Sequence, residues 1–159
     1  MYPKICPCGQ GDYASCCAPL HQGQTTAATA EQLMRSRYSA FALQQIDYIV
    51  QTTAPGQQAD LDIPALRDWS TANRWLGLQI INVQPRLGKH HAKVEFIARY
   101  HDGQQLQQHQ ELSSFVQSAG QWFFLDPTIP VPVSMKQPCL CGSGKKFKHC
   151  CAPFLLSFP

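Results

Sequence analysis

Apolar residues recur at helical spacing in the segment that starts near residue 30. From about residue 30 to residue 51 they fall every three or four positions, which predicts one amphipathic helix. Thr29, followed three residues later by Gln32, predicts a capping box at the start of that helix. A second, shorter helix is predicted near 61–73, where Pro64 suits the first turn.

From Trp75 onward the pattern changes to the alternation of apolar and polar residues that is typical of strands. Turn signals such as Asp102-Gly103 separate the alternating runs. The predicted strands cover about 75–83, 93–100, 105–117 and 121–126. Helices followed by an antiparallel meander predict the α+β class. His90 and His91 fall between the first two strands, and we predict that they lie in a solvated hairpin loop.

Composition narrows the class of protein without naming a partner. The chain has 159 residues, of which 44% are hydrophobic and 14% are charged, and its net charge is +3. These values argue against disorder and give no general signal for binding to a polyanion. No apolar run approaches the roughly 18 residues that span a bilayer, and the first residues lack the apolar stretch of a signal peptide. We therefore expect a cytoplasmic protein with reduced thiols and no membrane insertion.

The eight cysteines form two clusters, one near each end of the sequence. Each cluster has a C-x-C-G-x-G turn, then an aromatic residue, then two adjacent cysteines followed by Ala-Pro. The second copy has one more residue between its cysteine pairs than the first. The clusters consist of Cys6, Cys8, Cys16 and Cys17, and of Cys139, Cys141, Cys150 and Cys151. Such a repeat predicts two copies of one structural module.

Four cysteines in so short a segment favour a structural zinc site, and hence two zinc ions per chain. Segments of this length cannot bury a core of their own, so the metal must supply the folding energy. Disulfides are an alternative, but adjacent cysteines bond to each other only with strain. Thiol redox chemistry is a third possibility. His149 precedes Cys150 and is a competing ligand, but we favour the four sulfurs.

The second cluster resembles the SEC-C motif, a zinc-binding module at the C-terminus of the preprotein translocase ATPase SecA. Cys151 stands where that motif often has histidine. With a similar module at the other end, E-Q-L-M-R-S-R-Y at 31–38 and W-L-G-L at 75–78, nearly the whole chain resembles the YchJ family of bacterial proteins. The resemblance implies a middle domain with the curved sheet and covering helices of nuclear transport factor 2 (NTF2). The predicted domains are 1–24, 25–134 and 135–159.

The segment between the clusters is predicted to fold on its own. It contains no cysteine, and it has enough apolar residues for a separate core. The prolines between 127 and 138 predict a stiff, extended linker to the second module.

In the fold that the resemblance implies, the sheet curls around a cavity. Arg35, Arg37 and Tyr38 on the first helix, and Asp126 after the last strand, are the predicted cavity residues. Each charged residue has a structural alternative: Arg35 in an ion pair with a carboxylate such as Glu31, and Asp126 in a turn. No residue is assigned a catalytic role, because no nucleophile–base ordering or phosphate loop is visible.

Lysines are concentrated in the C-terminal module, where no acidic residue accompanies them. Lys145, Lys146 and Lys148 surround Phe147, and we predict that these four residues bind a partner. The sequence thus favours a non-enzymatic interaction protein or adaptor. The resemblance to the SecA tail implies an export chaperone such as SecB, or ribosomes, as partners. Two alternatives stay open: a small-molecule-binding or enzymatic middle domain, and an RNA-binding protein that uses the lysines of the zinc module.

Overall fold

A computed structural model of the protein describes residues 2–131 and 134–155. The predicted linker therefore lies partly outside the described residues. The helical elements are a 3₁₀ turn at Tyr13–Ser15, α1 (Ala18–His21), α2 (Ala30–Ala42), α3 (Ile46–Gln51), a 3₁₀ segment at Pro55–Asp60, and α4 (Ile63–Ala72). The remaining elements are β1 (Arg74–Leu87), β2 (His91–His101), β3 (Leu106–Ser118), β4 (Gln121–Leu125), a 3₁₀ turn at Phe147–His149, and α5 (Ala152–Leu155). In the described part of the chain, no helix combines the length and the apolar character needed to cross a membrane.

Helix α2 begins at the predicted capping box. The Gln32 amide nitrogen donates to Thr29 Oγ1 at 3.1 Å, and Gln32 Oε1 accepts from the Ala28 amide at 2.7 Å. The prediction of one helix from 30 to 51 is wrong, because the chain breaks after α2 at Gln44, whose φ is +60°. This left-handed residue turns the chain so that α3 folds back on α2.

The four strands form one antiparallel sheet in the order β1-β2-β3-β4. Strand β1 is longer than predicted and has three register shifts against β2. Such bulges bend a strand and increase its twist, so the sheet curves around the face that α2 covers. The predicted α+β class and curved antiparallel sheet are confirmed. His91 is not in a solvated loop as predicted: it is the first residue of β2 and is buried.

The cysteine-containing ends pack into the same interior as the middle of the chain. Cys6 belongs to a buried cluster with Leu33 of α2 and Phe115 of β3. Phe147 near the other end belongs to a second buried cluster with Val116 of β3. The end modules thus share buried clusters with the middle segment, and its folding on its own stays a prediction. The domain boundaries given above stay predictions.

Candidate metal centres

The N-terminal cluster places four sulfur atoms in one small volume. Cys8 Sγ lies 3.5 Å from Cys16 Sγ and 3.8 Å from Cys17 Sγ, and the last two sulfurs are 3.9 Å apart. With Cys6, the four Sγ atoms all lie within 4.8 Å of one another. Cys16 is partly exposed, whereas the other three are buried.

The C-terminal cluster repeats this arrangement with all four cysteines buried. Cys150 Sγ lies 3.6 Å from Cys141 Sγ and 3.8 Å from Cys151 Sγ, and Cys139 completes the group within 4.8 Å. The exposed His149 is outside this group, in agreement with the preference for four sulfurs.

The backbone explains why two loops of different length form the same cluster. In the first module the Cys6 amide donates to the Gly11 carbonyl at 2.7 Å, and in the second the Cys139 amide donates to the Lys145 carbonyl at 2.7 Å. The extra residue of the second copy lies within this turn. After the turn, each copy places a buried aromatic residue at the start of a 3₁₀ turn that leads to the adjacent cysteines. The shorter first loop therefore still closes the cluster.

The spacing of the sulfurs suits a tetrahedral metal ion. With a metal–sulfur distance of about 2.3 Å, the edge of a thiolate tetrahedron is about 3.8 Å. The hydrogen-bonded sulfur pairs of the two clusters are separated by 3.5 to 3.9 Å. All eight cysteines are free, so none of their sulfurs is held in a disulfide. Both clusters can hold a metal ion.

The thiols of each cluster cannot all ionise together without a cation. Burial raises the pKa of the Cys16 thiol to about 12, and the hydrogen bond with Cys8 raises the pKa of Cys17 above its usual range. The pKa of Cys8 falls to about 5 because Cys17 hydrogen-bonds its sulfur. The pKa of Cys141 is likewise lowered by Cys139. A bound cation would replace the protons that the neighbouring sulfurs share.

One side chain from the middle of the chain contacts a sulfur in each cluster. Ser39 Oγ on α2 lies 3.4 Å from Cys6 Sγ, and His91 Nε2 on β2 lies 3.4 Å from Cys151 Sγ. Hydrogen bonds to ligand sulfurs orient them and tune their charge. The His91 ring also stacks on Phe154, with centroids 3.9 Å apart. Sequence reasoning missed both contacts, since the partners are 33 and 60 residues apart and no local pattern links them.

Arg35 contacts the N-terminal module and does not line the cavity of the sheet. Its Nε donates to Glu31 Oε2 at 3.0 Å and its Nη1 donates to the Cys8 carbonyl at 3.1 Å. The assignment of Arg35 to the cavity is therefore wrong, and the alternative ion pair with Glu31 is the observed one. Helical spacing placed Arg35 at the edge of the apolar face, and that edge faces the N-terminal module.

The lysines of the C-terminal module lie around a buried ring. Lys145 and Lys146 are exposed and Lys148 is half-buried, whereas Phe147 is fully buried. The prediction that Phe147 binds a partner is wrong, because its ring forms the interior of the module. Its amide donates to the Gln137 carbonyl at 2.9 Å, which fixes the backbone of the lysine loop.

The concave face of the sheet and helices α2 and α4 enclose a cavity of about 320 Å³. Arg37, Tyr38 and Asp126 line it, and aromatic rings form much of its wall. The lining aromatic residues are Tyr38, Phe41, Trp69, Trp75, Phe96 and Phe124.

Three polar residues of β3 also line the cavity and were missed as a group. His109 Nε2 lies 3.4 Å from Glu111 Oε1, and Ser113 donates a hydrogen bond to Glu111 Oε2. These residues stand at every second position, and alternate residues of a strand share a face. That spacing was the available signal in the sequence.

A curved antiparallel sheet covered by helices, with a four-cysteine module at either end, defines a SEC-C-type protein built on an NTF2-like domain. Residues 29–127 match the family described as YchJ, middle NTF2-like domain, and residues 135–153 match the SEC-C motif. The chain belongs to the YchJ family, and the resemblance seen in the sequence is confirmed.

Three relatives are similar to this chain over most of its length. A UPF0225 protein from Actinobacillus succinogenes is 54% identical over 152 residues, which cover 95% of this chain and 98% of the relative. The crystal structure of a SEC-C motif containing protein from Psychrobacter arcticus is similar, with a TM-score of 0.87, 44% identity, and coverage of 95% of this chain and 97% of that chain. The solution structure of a SEC-C motif containing protein from Rhodopseudomonas palustris has a TM-score of 0.71 and 40% identity, and covers 77% of this chain and 95% of that chain.

Proposed function

We propose that the protein is a zinc-binding, non-enzymatic interaction protein in which the NTF2-like domain carries two structural zinc modules. The observation that carries this proposal is the grouping of four sulfurs within 4.8 Å of one another in each cluster. Zinc accepts four thiolates without redox change, and a set of four protein ligands leaves no position for a reactive water. In such a site the metal folds the module and takes no part in a reaction.

Metal analysis tests the identity and number of the ions. Protein purified under reducing conditions with metals available should contain two zinc ions per chain. Cys8→Ser and Cys141→Ser should each remove one ion and leave the other cluster loaded. Iron is the competing metal for four thiolates. Iron in place of zinc, or fewer than two ions in the parent protein, would contradict the proposal.

The lysine loop of the C-terminal module supports a role in binding an acidic partner. Lys145 and Lys146 are exposed on a backbone that main-chain hydrogen bonds already hold in place. A surface fixed before binding loses little conformational entropy on association, and its charge speeds the encounter with an opposite charge. We propose an acidic protein as the partner, an export chaperone of the SecB type first and a ribosome-associated protein second.

Charge reversal tests this surface. The Lys145→Glu, Lys146→Glu double variant should keep its zinc and its melting temperature, because exposed charges contribute little to folding. Its association with purified SecB should slow, and the loss should be larger at about 50 mM than at about 300 mM salt. Lys4→Glu with Arg67→Glu reverses two exposed charges outside the loop, one in the N-terminal module and one on α4, and serves as the matched control. Equal association rates for both double variants would exclude the loop as the interface.

RNA binding is the outcome that would redirect the proposal. If ribosomes or free RNA bind in place of the protein partner, the logarithm of the association constant should fall steeply and linearly with the logarithm of the salt concentration. Nuclease treatment of the captured complex distinguishes the two cases, because a protein partner stays bound after the RNA is removed.

A further inference from the structure

Arg37 is a buried cation that makes no direct contact with a carboxylate among the described residues. It is 7% exposed, and its Nη1 donates to the Ile49 carbonyl at 2.9 Å and to Thr52 Oγ1 at 2.8 Å. The guanidinium carbon lies 4.4 Å from the centroid of the Phe124 ring. Among the described residues, no carboxylate lies within 4.0 Å of Arg37. Burial lowers the pKa of Arg37 to about 10, so the side chain still carries its charge at neutral pH.

The remaining donors of Arg37 open onto the cavity. A guanidinium has five N–H donors in one plane, and protein acceptors are found only for Nη1 within the described residues. Every fully buried side-chain nitrogen or oxygen in that part of the chain has a hydrogen-bond partner. Nε and Nη2 must therefore reach open space, and Arg37 lines the cavity behind α2. Asp126 and Glu111 act on Arg37 only from a distance, so a ligand anion in the cavity would supply the direct, charge-assisted hydrogen bonds that Nε and Nη2 lack.

The same cavity also contains two carboxylates, which act on Arg37 from a distance without contacting it. Glu111 and Asp126 line it. Glu111 is held by Ser113 and His109, and Asp126 Oδ1 accepts from Thr128 Oγ1 at 2.6 Å. Aromatic rings form the wall between these polar groups. A ligand that carried only an anion would meet two carboxylates, and a ligand that carried only a cation would meet Arg37.

We propose that this cavity binds a zwitterionic small molecule with an apolar body, of the class of aromatic α-amino acids. The ligand carboxylate would accept hydrogen bonds from Nε and Nη2 of Arg37, and its ammonium group would donate to Glu111 and Asp126. Its ring would lie against the aromatic wall. A volume of about 320 Å³ is in the range of small-molecule sites. This inference does not depend on the metal or the partner proposed above.

Titration calorimetry on the full-length, metal-loaded protein tests the proposal with three probes. L-phenylalanine carries both charges, 3-phenylpropionate lacks the ammonium group, and 2-phenylethylamine lacks the carboxylate. L-phenylalanine should bind, and each analogue should bind at least about tenfold more weakly, because each leaves a charged group in the cavity without a partner. A dissociation constant of about 1 mM is the weakest that we expect for a specific site. If L-phenylalanine at about 10 mM does not bind, or if either analogue binds equally well, the proposal is overturned.

Two variants place the ligand in the cavity. Glu111→Gln should weaken L-phenylalanine about tenfold and leave 3-phenylpropionate no weaker, since only the ammonium partner changes. Glu95→Gln is the matched control, because Glu95 contacts Gln110 on the opposite face of the sheet. Ala98→Leu should fill the cavity and abolish binding, with zinc content and melting temperature as measures of folding. If L-phenylalanine binds Glu111→Gln and Ala98→Leu as well as it binds the parent, the cavity is not its site and the proposal fails.

Discussion

His91 Nε2 lies 3.4 Å from Cys151 Sγ, so the first residue of β2 contacts a sulfur of the C-terminal cluster. Ser39 makes the matching contact with Cys6 from α2. Each cluster thus has one cysteine sulfur in hydrogen-bonding contact with a side chain of the NTF2-like domain. Because both contacts are buried, we expect binding or loss of a metal at either cluster to affect the domain next to it.

The contact of His91 predicts a change in metal affinity. His91→Phe keeps an aromatic ring against Phe154 but removes the N–H that can reach the sulfur. We expect the zinc affinity of the C-terminal cluster to fall about tenfold or more, in the range found for such supporting residues. Competition with a chromophoric chelator measures this. His90→Phe changes an exposed neighbour and should have no effect, and equal affinities for the two variants would show that the contact does not support the metal.

The close contact between Gly56 and Leu140 predicts that a larger residue at position 56 destabilises the packing of the C-terminal module on the domain. Its amide donates to the Leu140 carbonyl at 2.6 Å, and an added Cβ would lie 2.6 Å from that oxygen and 2.7 Å from the Leu140 Cα. Gly56→Ala should therefore lower the free energy of unfolding by about 1–3 kcal/mol. Gly77→Ala is the control, because nothing lies within 4 Å of a Cβ there. Urea unfolding measures the free energy of unfolding of both variants. If the two values change equally, the C-terminal module accommodates the added methyl group at Gly56 without loss of stability.

The cysteine clusters were predictable from the sequence because their information is local. A repeated turn, a repeated aromatic residue and repeated cysteine pairs specify a small module without reference to the rest of the chain. The contacts of Ser39 and His91 were not predictable, because they depend on how the modules dock. The same docking places the Arg35 guanidinium against the Cys8 carbonyl and outside the cavity.

The break between α2 and α3 shows a different limit of sequence reasoning. Apolar spacing continues smoothly from residue 30 to residue 51, and no glycine or proline marks the turn. Gln44 adopts a left-handed conformation because the contacts that it allows between α2 and α3 stabilise it. One of them brings Tyr48 Oη within 2.6 Å of Ser36 Oγ. Propensity is a weak guide where packing decides the outcome.

Gln44 also predicts a stabilising substitution. Its φ of +60° is unfavourable for a residue with a Cβ, and glycine accepts it without strain. Gln44→Gly should raise the free energy of unfolding by about 1 kcal/mol. Gln51→Gly at the end of α3 should have the opposite effect, a loss of about 0.5–1 kcal/mol, because the backbone there is helical. Thermal unfolding measures both, and a melting temperature lowered equally by the two changes would contradict the prediction.

His21 predicts a pH dependence of stability. Its Nε2 lies 2.8 Å from the Ser36 carbonyl, which can only accept, so Nε2 carries the proton and Nδ1 accepts from Tyr13 Oη at 2.7 Å. Burial lowers the pKa of His21 below its usual value. The unfolded chain therefore takes up a proton below about pH 6.5 that the folded chain does not, and the free energy of unfolding falls as the pH drops from there.

Comparison of His21→Gln with the parent isolates this contribution. Protonation of the cysteines acts on both proteins, so the difference between their curves reports His21. Between about pH 6.5 and pH 5 the curve of the variant should be flatter, by at most about 1.4 kcal/mol per pH unit for a single proton. Urea unfolding at closely spaced pH values provides the curves. Parallel curves would show that His21 takes up its proton equally in both states.

The two clusters should release their metal in a fixed order. Their sulfurs are spaced alike, but Cys16 of the N-terminal cluster is partly exposed, whereas every cysteine of the C-terminal cluster is buried. The N-terminal turn is also one residue shorter, so it has less freedom to adjust around an ion. Because a chelator or a competing proton reaches an exposed sulfur first, the N-terminal cluster should lose its metal before the C-terminal one.

Addition of a chelator in steps, with alkylation of the freed thiols at each step, should label the peptide containing Cys16 and Cys17 before the peptide containing Cys150 and Cys151. Mass spectrometry reads the order directly. Labelling that begins at the C-terminal peptide would show that the packing of the module, and not the exposure of a ligand, controls release.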